Sequence, residues 1–318
     1  MSRASQVNEI PAVLDSAHGG AKVHGAPWIS ETSYWMPRHL VASAWHEHSP
    51  FASWLVDAIR PDSIVELGTH NGFSYFVFCE AVARLGLSTR TFALDSWKGD
   101  DQAGFYEEDV FANVTSINAD EYAEFSTLLR GYFDDSLGSI ADGSVDLLHI
   151  DGRHGYDDIH HDFEAWLPKL SERGVVIFHD TAEHQDGFGV WQFWAEVSGQ
   201  YPSFEFMHNH GLGVLAVGRL VPENLRPLLD VSADRREDIR GAYETLGAAV
   251  TRQYELESVS REAEWLRGEV EKARQQIAAN EQSVSELRVE IDELRQSTSW
   301  KVTRPLRKAS DVLHRRRS

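Results

Sequence analysis

Residues 147–154 read Leu-Leu-His-Ile-Asp-Gly-Arg-His, an apolar run that passes directly into a polar cluster. Residues 175–181 repeat this pattern as Val-Val-Ile-Phe-His-Asp-Thr. Such runs are typical of buried parallel strands, which deliver the residues after them to one edge of an open α/β sheet, where ligands bind. The sequence therefore predicts that the titratable residues at these two strand ends converge on one site. They are Asp151, His154, His179 and Asp180.

The alternative interpretation is that these four side chains cap the helix or turn after each strand. Asp and Thr do so routinely. Four titratable groups at two strand ends exceed what capping requires, so the sequence favours a site.

A third predicted strand, from Ser63 to Leu67, runs into the turn Gly68-Thr69-His70-Asn71-Gly72 and then into a helical pattern. The two glycines permit positive φ and close approach to a ligand, and the helix offers its positive N-terminal end. The spacing is not G-x-G-x-x-G, and the G-K-[ST] sequence of a phosphate loop is absent. A cofactor with an amino-acid tail fits this turn better than a pyrophosphate does.

The next predicted strand, Thr91 to Leu94, ends at Asp95, which lies 27 positions beyond Gly68. An acid at that place in the fold accepts hydrogen bonds from ribose hydroxyls. The glycine turn and the strand-end acid together indicate a cofactor that carries a nucleoside.

These blocks resemble the class I S-adenosylmethionine-dependent methyltransferases, in the branch that includes macrocin O-methyltransferase-like and cephalosporin hydroxylase-like proteins of glycan and natural-product biosynthesis. The resemblance covers residues 44–218. It implies an α/β, Rossmann-like fold, with a mostly parallel seven-stranded sheet and helices on both faces. The blocks that carry it are residues 65–72 (VELGTHNG), 93–100 (ALDSWKGD), 149–156 (HIDGRHGY) and 178–181 (FHDT).

The resemblance also implies roles for individual residues. Asp95 would hold the ribose, and Asp151, His179 and Asp180 would hold a divalent metal, Mg²⁺ or Mn²⁺. The better-known metal-dependent relatives have an acid where His179 stands. Two carboxylates and an imidazole suit several divalent ions, whereas Mg²⁺ prefers oxygen ligands alone. The predicted cofactor-binding residues are Glu66, Gly68, Thr69, Asn71, Gly72, Asp95 and Ser96.

The composition is that of a globular enzyme. The chain has 318 residues, 42% of them hydrophobic, a single cysteine and a formal charge of −20. One cysteine excludes an intrachain disulfide and indicates a reducing compartment, and the acidic charge argues against nucleic acid as a partner. With no apolar run that could span a bilayer and no signal-peptide pattern, the sequence predicts a cytoplasmic protein.

The sequence divides into five predicted segments. An N-terminal arm over residues 1–47 precedes a methyltransferase domain over 48–220, and a helical connector over 221–251 comes after it. Within the domain, residues 97–119 are a candidate lid over the donor pocket, because the segment is rich in acids and aromatics. An ordinary amphipathic helix with a solvated acidic face is the alternative. The acids and aromatics are Asp100, Asp101, Phe105, Tyr106 and Glu107.

Residues 252–297 are predicted to form a coiled coil. Between Leu256 and Leu294, residues at alternating spacings of three and four form a heptad seam in which eleven of twelve positions are apolar. Val or Ile at four of the six first positions favours a parallel two-stranded coil, and hence a homo-oligomer. Asn280 is the polar seam residue. A single helix packed on the domain would also bury such a stripe, but 39 residues extend roughly 58 Å, more than a domain of this size can cover.

The tail over 298–318 is basic. Residues 301–318 carry a charge of +6 and the rest of the chain −26. The segment 297–308 resembles an element at the ends of glycan-assembly proteins. A basic tail of this kind can approach an anionic membrane surface, at about 1 kcal/mol per basic residue, so the sequence predicts a membrane surface or a glycan-assembly protein as a partner and a peripheral position at the inner face of the membrane. A solvated tail that aids solubility is the alternative.

The sequence thus predicts a metal-assisted O-methyltransferase that acts on a sugar or glycan hydroxyl. The acceptor oxygen must lose a proton as it attacks the methyl carbon, and His154 is the predicted base because imidazole titrates near neutrality. Asp151 is the second predicted catalytic residue. Two alternatives stay open: an oxygenase that holds iron through Asp and His ligands, and an inactive scaffold whose coiled coil and tail provide the function.

Overall fold

The computed structural model describes residues 26–100, 104–105 and 108–307, with the side chain of Asp100 excepted. Predictions for Asp101, Tyr106 and Glu107 of the lid, for the first 25 residues of the arm and for residues 308–318 of the tail lie outside the described residues. The chain divides into two compact units, residues 1–254 and 255–318.

Nine strands and nine α-helices are present in the described part of the chain. The strands are β1 Ser63–Leu67, β2 Arg90–Asp95, β3 Gly99–Asp100, β4 Gly104–Phe105, β5 Ser126–Arg130, β6 Val145–Ile150, β7 Leu170–His179, β8 Ser203–Phe206 and β9 Leu212–Ala216. The α-helices are α1 Ser49–Ile59, α2 Phe73–Arg84, α3 Glu108–Ile117, α4 Phe133–Ser136, α5 Tyr156–Trp166, α6 Val190–Val197, α7 Arg226–Leu229, α8 Ala233–Gln296 and α9 Thr298–Val302. Short 3₁₀ or π turns cover Glu31–Tyr34, His46–His48, Asn118–Tyr122, Leu137–Ser139, Leu167–Lys169 and Glu223–Leu225.

Seven strands form one sheet in the order β5-β2-β1-β6-β7-β9-β8. The pairs among β5, β2, β1, β6 and β7 are parallel, and β9 runs antiparallel to both of its neighbours. This arrangement confirms the predicted Rossmann-like methyltransferase fold. The chain leaves β1 toward β2 and β5 on one side and returns to β6 on the other, so the order of the strands reverses at β1. A ligand crevice forms outside the carboxyl ends of the strands at such a reversal.

The apolar side chains of the central strands alternate between the two faces of the sheet, as period-two geometry requires. Ile64 and Leu147 pack on the side of α1 and α2, in a core that also contains Tyr243 of α8. Val65 and Leu148 pack on the opposite side, against α5 and α6. Helices therefore cover both faces, and the sheet edge is left for the loops.

Two predicted flanking segments belong to the first compact unit. The described part of the arm buries Trp28 and Trp45, and the Tyr243 hydroxyl donates to the carbonyl oxygen of Trp28. Ile239, Tyr243 and Val250 of the predicted connector are at most 2% exposed. Much of the connector is thus the first part of α8, which completes the core.

The candidate lid contains a two-stranded ribbon, β3 with β4, and then α3. Phe105 of the ribbon is 82% exposed. No helix in the described part of the chain is both long and apolar enough to cross a membrane.

Candidate active site

The turn after β1 lies against the loop after β6, at the reversal point of the sheet. Gly68 has a φ of +90°, its N–H donates to the carbonyl oxygen of Leu94 at 2.9 Å, and a Cβ there would overlap the carbonyl oxygen of Asp151. Gly72, with a φ of +82°, is the N-cap of α2. The sequence folds this way because only glycine combines positive φ with so close a crossing of two backbones.

Asp95, at the end of β2, shapes the same turn. One carboxylate oxygen accepts hydrogen bonds from the backbone N–H groups of Thr69 and His70, at 2.9 and 2.8 Å, and the other accepts from Trp97 N–H at 2.6 Å. The side chain of Asp95 is 9% exposed and lines the cavity described below. A carboxylate offers about four lone-pair sites, so Asp95 retains capacity for a ligand hydroxyl.

The four predicted strand-end residues come together. The Nε2 of His154 lies 3.1 Å from Asp180 Oδ2, and the Nδ1 of His179 lies 3.3 Å from Asp151 Oδ1 and 3.3 Å from Asp180 Oδ1. The edge-of-sheet argument is therefore confirmed in its geometry. Asp180 has a φ of +62°, a conformation that costs energy in most residues and is found disproportionately at functional sites.

Charges within the cluster shift its pKa values. Burial raises the pKa of Asp151, but the charge of His179 and its hydrogen bond, with smaller effects of His149 and His154, hold that pKa below its ordinary range. Burial lowers the pKa of His179, and the carboxylates of Asp151 and Asp180 outweigh this effect and raise it to about 10.

A divalent cation fits the chemistry of this cluster. One ligand atom each of Asp151, His154 and Asp180 lie within 4.8 Å of one another. This group contains His154, which the sequence assigned to the base, in place of His179, which it assigned to the metal. His179 is only 3% exposed and faces the carboxylates from the interior, whereas the side chain of His154 is 18% exposed. Asp151 and Asp180 are common to both ligand sets.

A second layer of titratable groups lies beneath the cluster. Glu66 Oε2 is 2.8 Å from His149 Nδ1, and both side chains are fully buried. Burial raises the pKa of Glu66, and the hydrogen bond and charge of His149 oppose that rise. The His149 Nε2 lies 3.9 Å from Asp151 Oδ2, and the ring of Trp45 covers His149 at 4.9 Å between centroids. These contacts position the side chain of Asp151 from the interior of the domain.

One cavity of about 870 Å³ connects these features. Of the predicted cofactor residues, Gly68, Thr69, Asn71, Asp95 and Ser96 line it, as do Asp151, His154, His179 and Asp180. Glu66 and Gly72 are not among its lining residues in the described chain, because the first is bonded to His149 and the second begins α2.

Sequence reasoning missed several residues of the cavity. Trp45 and His70 line it, and Phe188 stacks on His154 with 4.6 Å between ring centroids and 5° between planes. The signal for His149 was present, as a polar residue inside an otherwise apolar strand. Asp162 of α5 is 8% exposed, lines the cavity, and has a pKa that burial raises to about 7.

The strand order reverses at β1, the glycine turn lies at this reversal point, and an acid ends β2. Residues 65–181 match the family model described as a methyltransferase domain. The match runs from within β1 to just beyond the end of β7 and includes every predicted site residue. Residues 65–181 are therefore similar to a methyltransferase domain.

The chain is also similar to an uncharacterized protein, y4gI, of Sinorhizobium fredii. The two are 54% identical over 192 residues, which cover 60% of this chain and 21% of that protein. This chain thus spans about a fifth of the length of its relative.

Among solved structures, the chain is similar to the O-methyltransferase TomG of Streptomyces achromogenes, which is involved in tomaymycin synthesis and was solved with SAM. Identity is 18%, coverage is 57% of this chain and 83% of TomG, and the TM-score is 0.43. An O-methyltransferase of Bacillus cereus in complex with SAH is 16% identical, with coverage of 57% and 84% and a TM-score of 0.42.

Proposed function

We propose that this protein transfers a methyl group from S-adenosylmethionine to a hydroxyl of a sugar or glycan. The observation that carries the proposal is that the glycine turn after β1 and the Asp151–Asp180–His154 cluster line one cavity at the reversal point of the sheet. A transferase of this kind must hold a nucleoside donor beside a base. The match of residues 65–181 to a methyltransferase domain supports the same reaction class.

The donor end of the cavity is formed by the loops after β1 and β2. Gly68 and Thr69 line this end, and Asp95 and Ser96 line the adjoining wall. The N-terminus of α2 comes directly after the turn and favours the carboxylate of an amino-acid tail. Asp95 accepts ribose hydroxyls, while its bonds to Thr69 and His70 keep the turn in shape.

The acceptor end is formed by the cluster and the ring of Phe188. As the acceptor oxygen bonds to the methyl carbon, the carbon–sulfur bond breaks, S-adenosylhomocysteine leaves, and the hydroxyl proton passes to the imidazole of His154. His154 is suited to this step because it faces the cavity and Asp180 fixes its Nε2 at 3.1 Å. His179 is too deeply buried to reach an acceptor, so its role is to contact the two carboxylates and the cation that they would hold.

A divalent cation bound by Asp151 and Asp180, with His179 as the imidazole ligand, would stabilise the negative charge that develops on the acceptor oxygen. The donor set suits Mn²⁺ as well as Mg²⁺, since an imidazole is available.

The charge of the cavity favours an uncharged or cationic acceptor. Its lining includes eight Asp or Glu side chains against two Lys or Arg side chains. A phosphorylated or nucleotide-linked acceptor would meet like charge, which disfavours binding. A neutral sugar hydroxyl or an amino sugar avoids this repulsion.

Incubation with S-adenosylmethionine labelled in its methyl group tests the proposal. We expect label to appear in neutral or amino-sugar glycans and not in sugar phosphates, with S-adenosylhomocysteine formed in equal amount. Asp151→Asn should reduce this transfer, and Asp120→Asn should not, because Asp120 is exposed on the turn after α3. Purified protein that carries iron and does not bind S-adenosylmethionine would instead indicate an oxygenase.

Asp95→Asn should weaken S-adenosylmethionine binding by roughly ten- to a hundred-fold. Loss of a hydrogen bond to a charged group costs about 1.5–3 kcal/mol, and the amide that replaces the carboxylate cannot accept on both sides. Calorimetric titration measures the change. Asp120→Asn serves again as the control, and an unchanged donor affinity in Asp95→Asn would exclude Asp95 from the donor site.

A further inference from the structure

The long C-terminal part of α8 presents an apolar seam that is exposed. Leu256 is 65% exposed, Ile277 57% and Leu294 56%. Within the described residues of the second compact unit, no other segment covers this face, because helix α8 and the short α9 are its α-helices. Eleven apolar side chains lie on one helix face, and contact with a partner would remove them from water.

The seam has a strict heptad over six repeats. Its first positions are Leu256, Ala263, Val270, Ile277, Val284 and Ile291, and its second positions are Val259, Leu266, Ala273, Asn280, Leu287 and Leu294. A heptad sustained for more than three or four repeats is typical of a coiled coil. The 3.5-residue period means that the seam keeps facing a partner along its whole length when two or more helices wind around each other.

The residues that flank this seam carry charges of opposite sign on its two edges. The acidic flank comprises the residues just before each first seam position, namely Glu255, Glu262, Glu269, Gln276, Ser283 and Glu290. The basic flank comprises the residues just after each second seam position, namely Ser260, Arg267, Arg274, Glu281, Arg288 and Arg295. One edge of the seam thus carries four Glu, and the other carries four Arg and one Glu.

This pattern distinguishes the two orientations of a pair of identical helices. In a parallel coil, each acidic-flank residue faces the basic-flank residue five positions later in the other copy. Glu262 then faces Arg267, and Glu269 faces Arg274. Glu290 faces Arg295 in the same way, and none of the six pairs joins like charges. In an antiparallel coil, the acidic flanks face each other and the basic flanks face each other, so like charges meet.

We propose that residues 256–294 bind a second copy of this chain as a parallel, in-register coiled coil. The complementary charges of the two flanks favour a second copy of this chain as the partner of the seam. Ion pairs within one helix do not compete strongly with these pairs between helices. Glu269–Lys272 at 2.7 Å and Arg274–Glu271 at 3.9 Å are exposed pairs spaced three residues apart. Exposed pairs of this kind contribute little to stability.

Charge reversal in the full-length chain tests the pairing. Arg267→Glu with Arg274→Glu reverses the basic flank, and Glu262→Lys with Glu269→Lys reverses the acidic flank. We expect either double variant alone to dimerise at least about tenfold more weakly than the wild type, because attractive pairs become repulsive. An equimolar mixture of the two should regain the wild-type affinity, because every altered residue then faces its opposite charge.

The matched control for reversal of the basic flank carries the same change of charge on the outward face, as Arg261→Glu with Lys272→Glu, and should dimerise as the wild type does. Sedimentation equilibrium measures each affinity. A wild-type chain that is monomeric at micromolar concentration would overturn the proposal. So would dimerisation that neither reversal weakens, which is the result expected for an antiparallel coil or for an interface elsewhere.

A cysteine at Ala263 tests the orientation directly. In the parallel coil the two copies of residue 263 are adjacent, and mild oxidation should join them by a disulfide. In an antiparallel coil residue 263 faces residue 287, and its copies lie about 36 Å apart. The native Cys79 does not interfere, because it is fully buried and burial raises its pKa to about 12. Ala278→Cys on the outward face is the control, and a dimer in which Ala263→Cys fails to cross-link would refute the parallel arrangement.

Discussion

Gly68→Ala should abolish binding of S-adenosylmethionine. A methyl group at this position overlaps the carbonyl oxygen of Asp151 and lies close to its carbonyl carbon at 2.6 Å, so the loops after β1 and β6 must move apart. The φ of +90° is also unfavourable for alanine. In the proposed function the donor and Asp151 meet at this crossing, so displacement of the loops would remove both the turn proposed to hold the donor and the position of Asp151.

Gly86→Ala is the matched control for this variant. Gly86 has a φ of +60°, but no heavy atom lies within 4 Å of the place where its Cβ would be. It should lose about 1–2 kcal/mol of stability to backbone strain and keep its donor affinity. Thermal unfolding measures the stability of both variants and calorimetric titration their donor affinity. Together they distinguish the effect of backbone strain from the effect of the steric overlap. A Gly68→Ala protein that binds S-adenosylmethionine as the wild type does would show that the donor lies elsewhere.

The positions of the strand-end residues could be predicted from the sequence because they depend on topology alone. Parallel strands deliver the residues after them to one edge of the sheet, so Asp151 and Asp180 could be brought together before any contact was known. Strand β8, Ser203–Phe206, shows the same kind of local signal, because its residues alternate between partly buried and buried positions.

The roles of Glu66 and His149 could not be predicted in this way. A strand sequence fixes the alternation of its side chains between the two faces of the sheet, but not which neighbouring side chains share a face. Glu66 and His149 are directly opposite in the β1–β6 register, and this pairing turns Glu66 toward His149 and away from the cavity. The register that decides it is a long-range property.

The early part of β7 was missed for a related reason. The strand begins at Leu170, five residues before the apolar run at Val175, and Leu170 pairs with Val145 across a shift of register. Its first four residues, Leu-Ser-Glu-Arg, lack the pattern of a buried strand because they are only partly covered. The sequence likewise gives no sign that the connector is part of the core, since burial of Tyr243 depends on Trp28 some 215 positions away.

His154→Gln should lower kcat for methyl transfer by about 10²–10⁴-fold, the range for loss of a general base. Donor affinity should not change, because the proposed function places His154, which stacks on Phe188, at the acceptor end of the cavity. Bound Mn²⁺, measured by metal analysis after dialysis, should also remain, since Asp151, His179 and Asp180 are intact. His160→Gln is the control, because His160 is exposed on α5 and is not among the residues that line the cavity.

The variant Asp180→Asn, compared with His154→Gln, distinguishes the proposed role of a metal ligand from the proposed role of the base. Asparagine tolerates the left-handed backbone at φ +62°, so the loop should persist while one carboxylate charge is lost. We expect this variant to lose both methyl transfer and Mn²⁺, whereas His154→Gln loses transfer alone. A different result is also possible in this geometry, because one ligand atom each of Asp151, His154 and Asp180 lie within 4.8 Å of one another. If His154→Gln released Mn²⁺ as Asp180→Asn does, His154 would be the third metal ligand, and the proton would have to leave through another group.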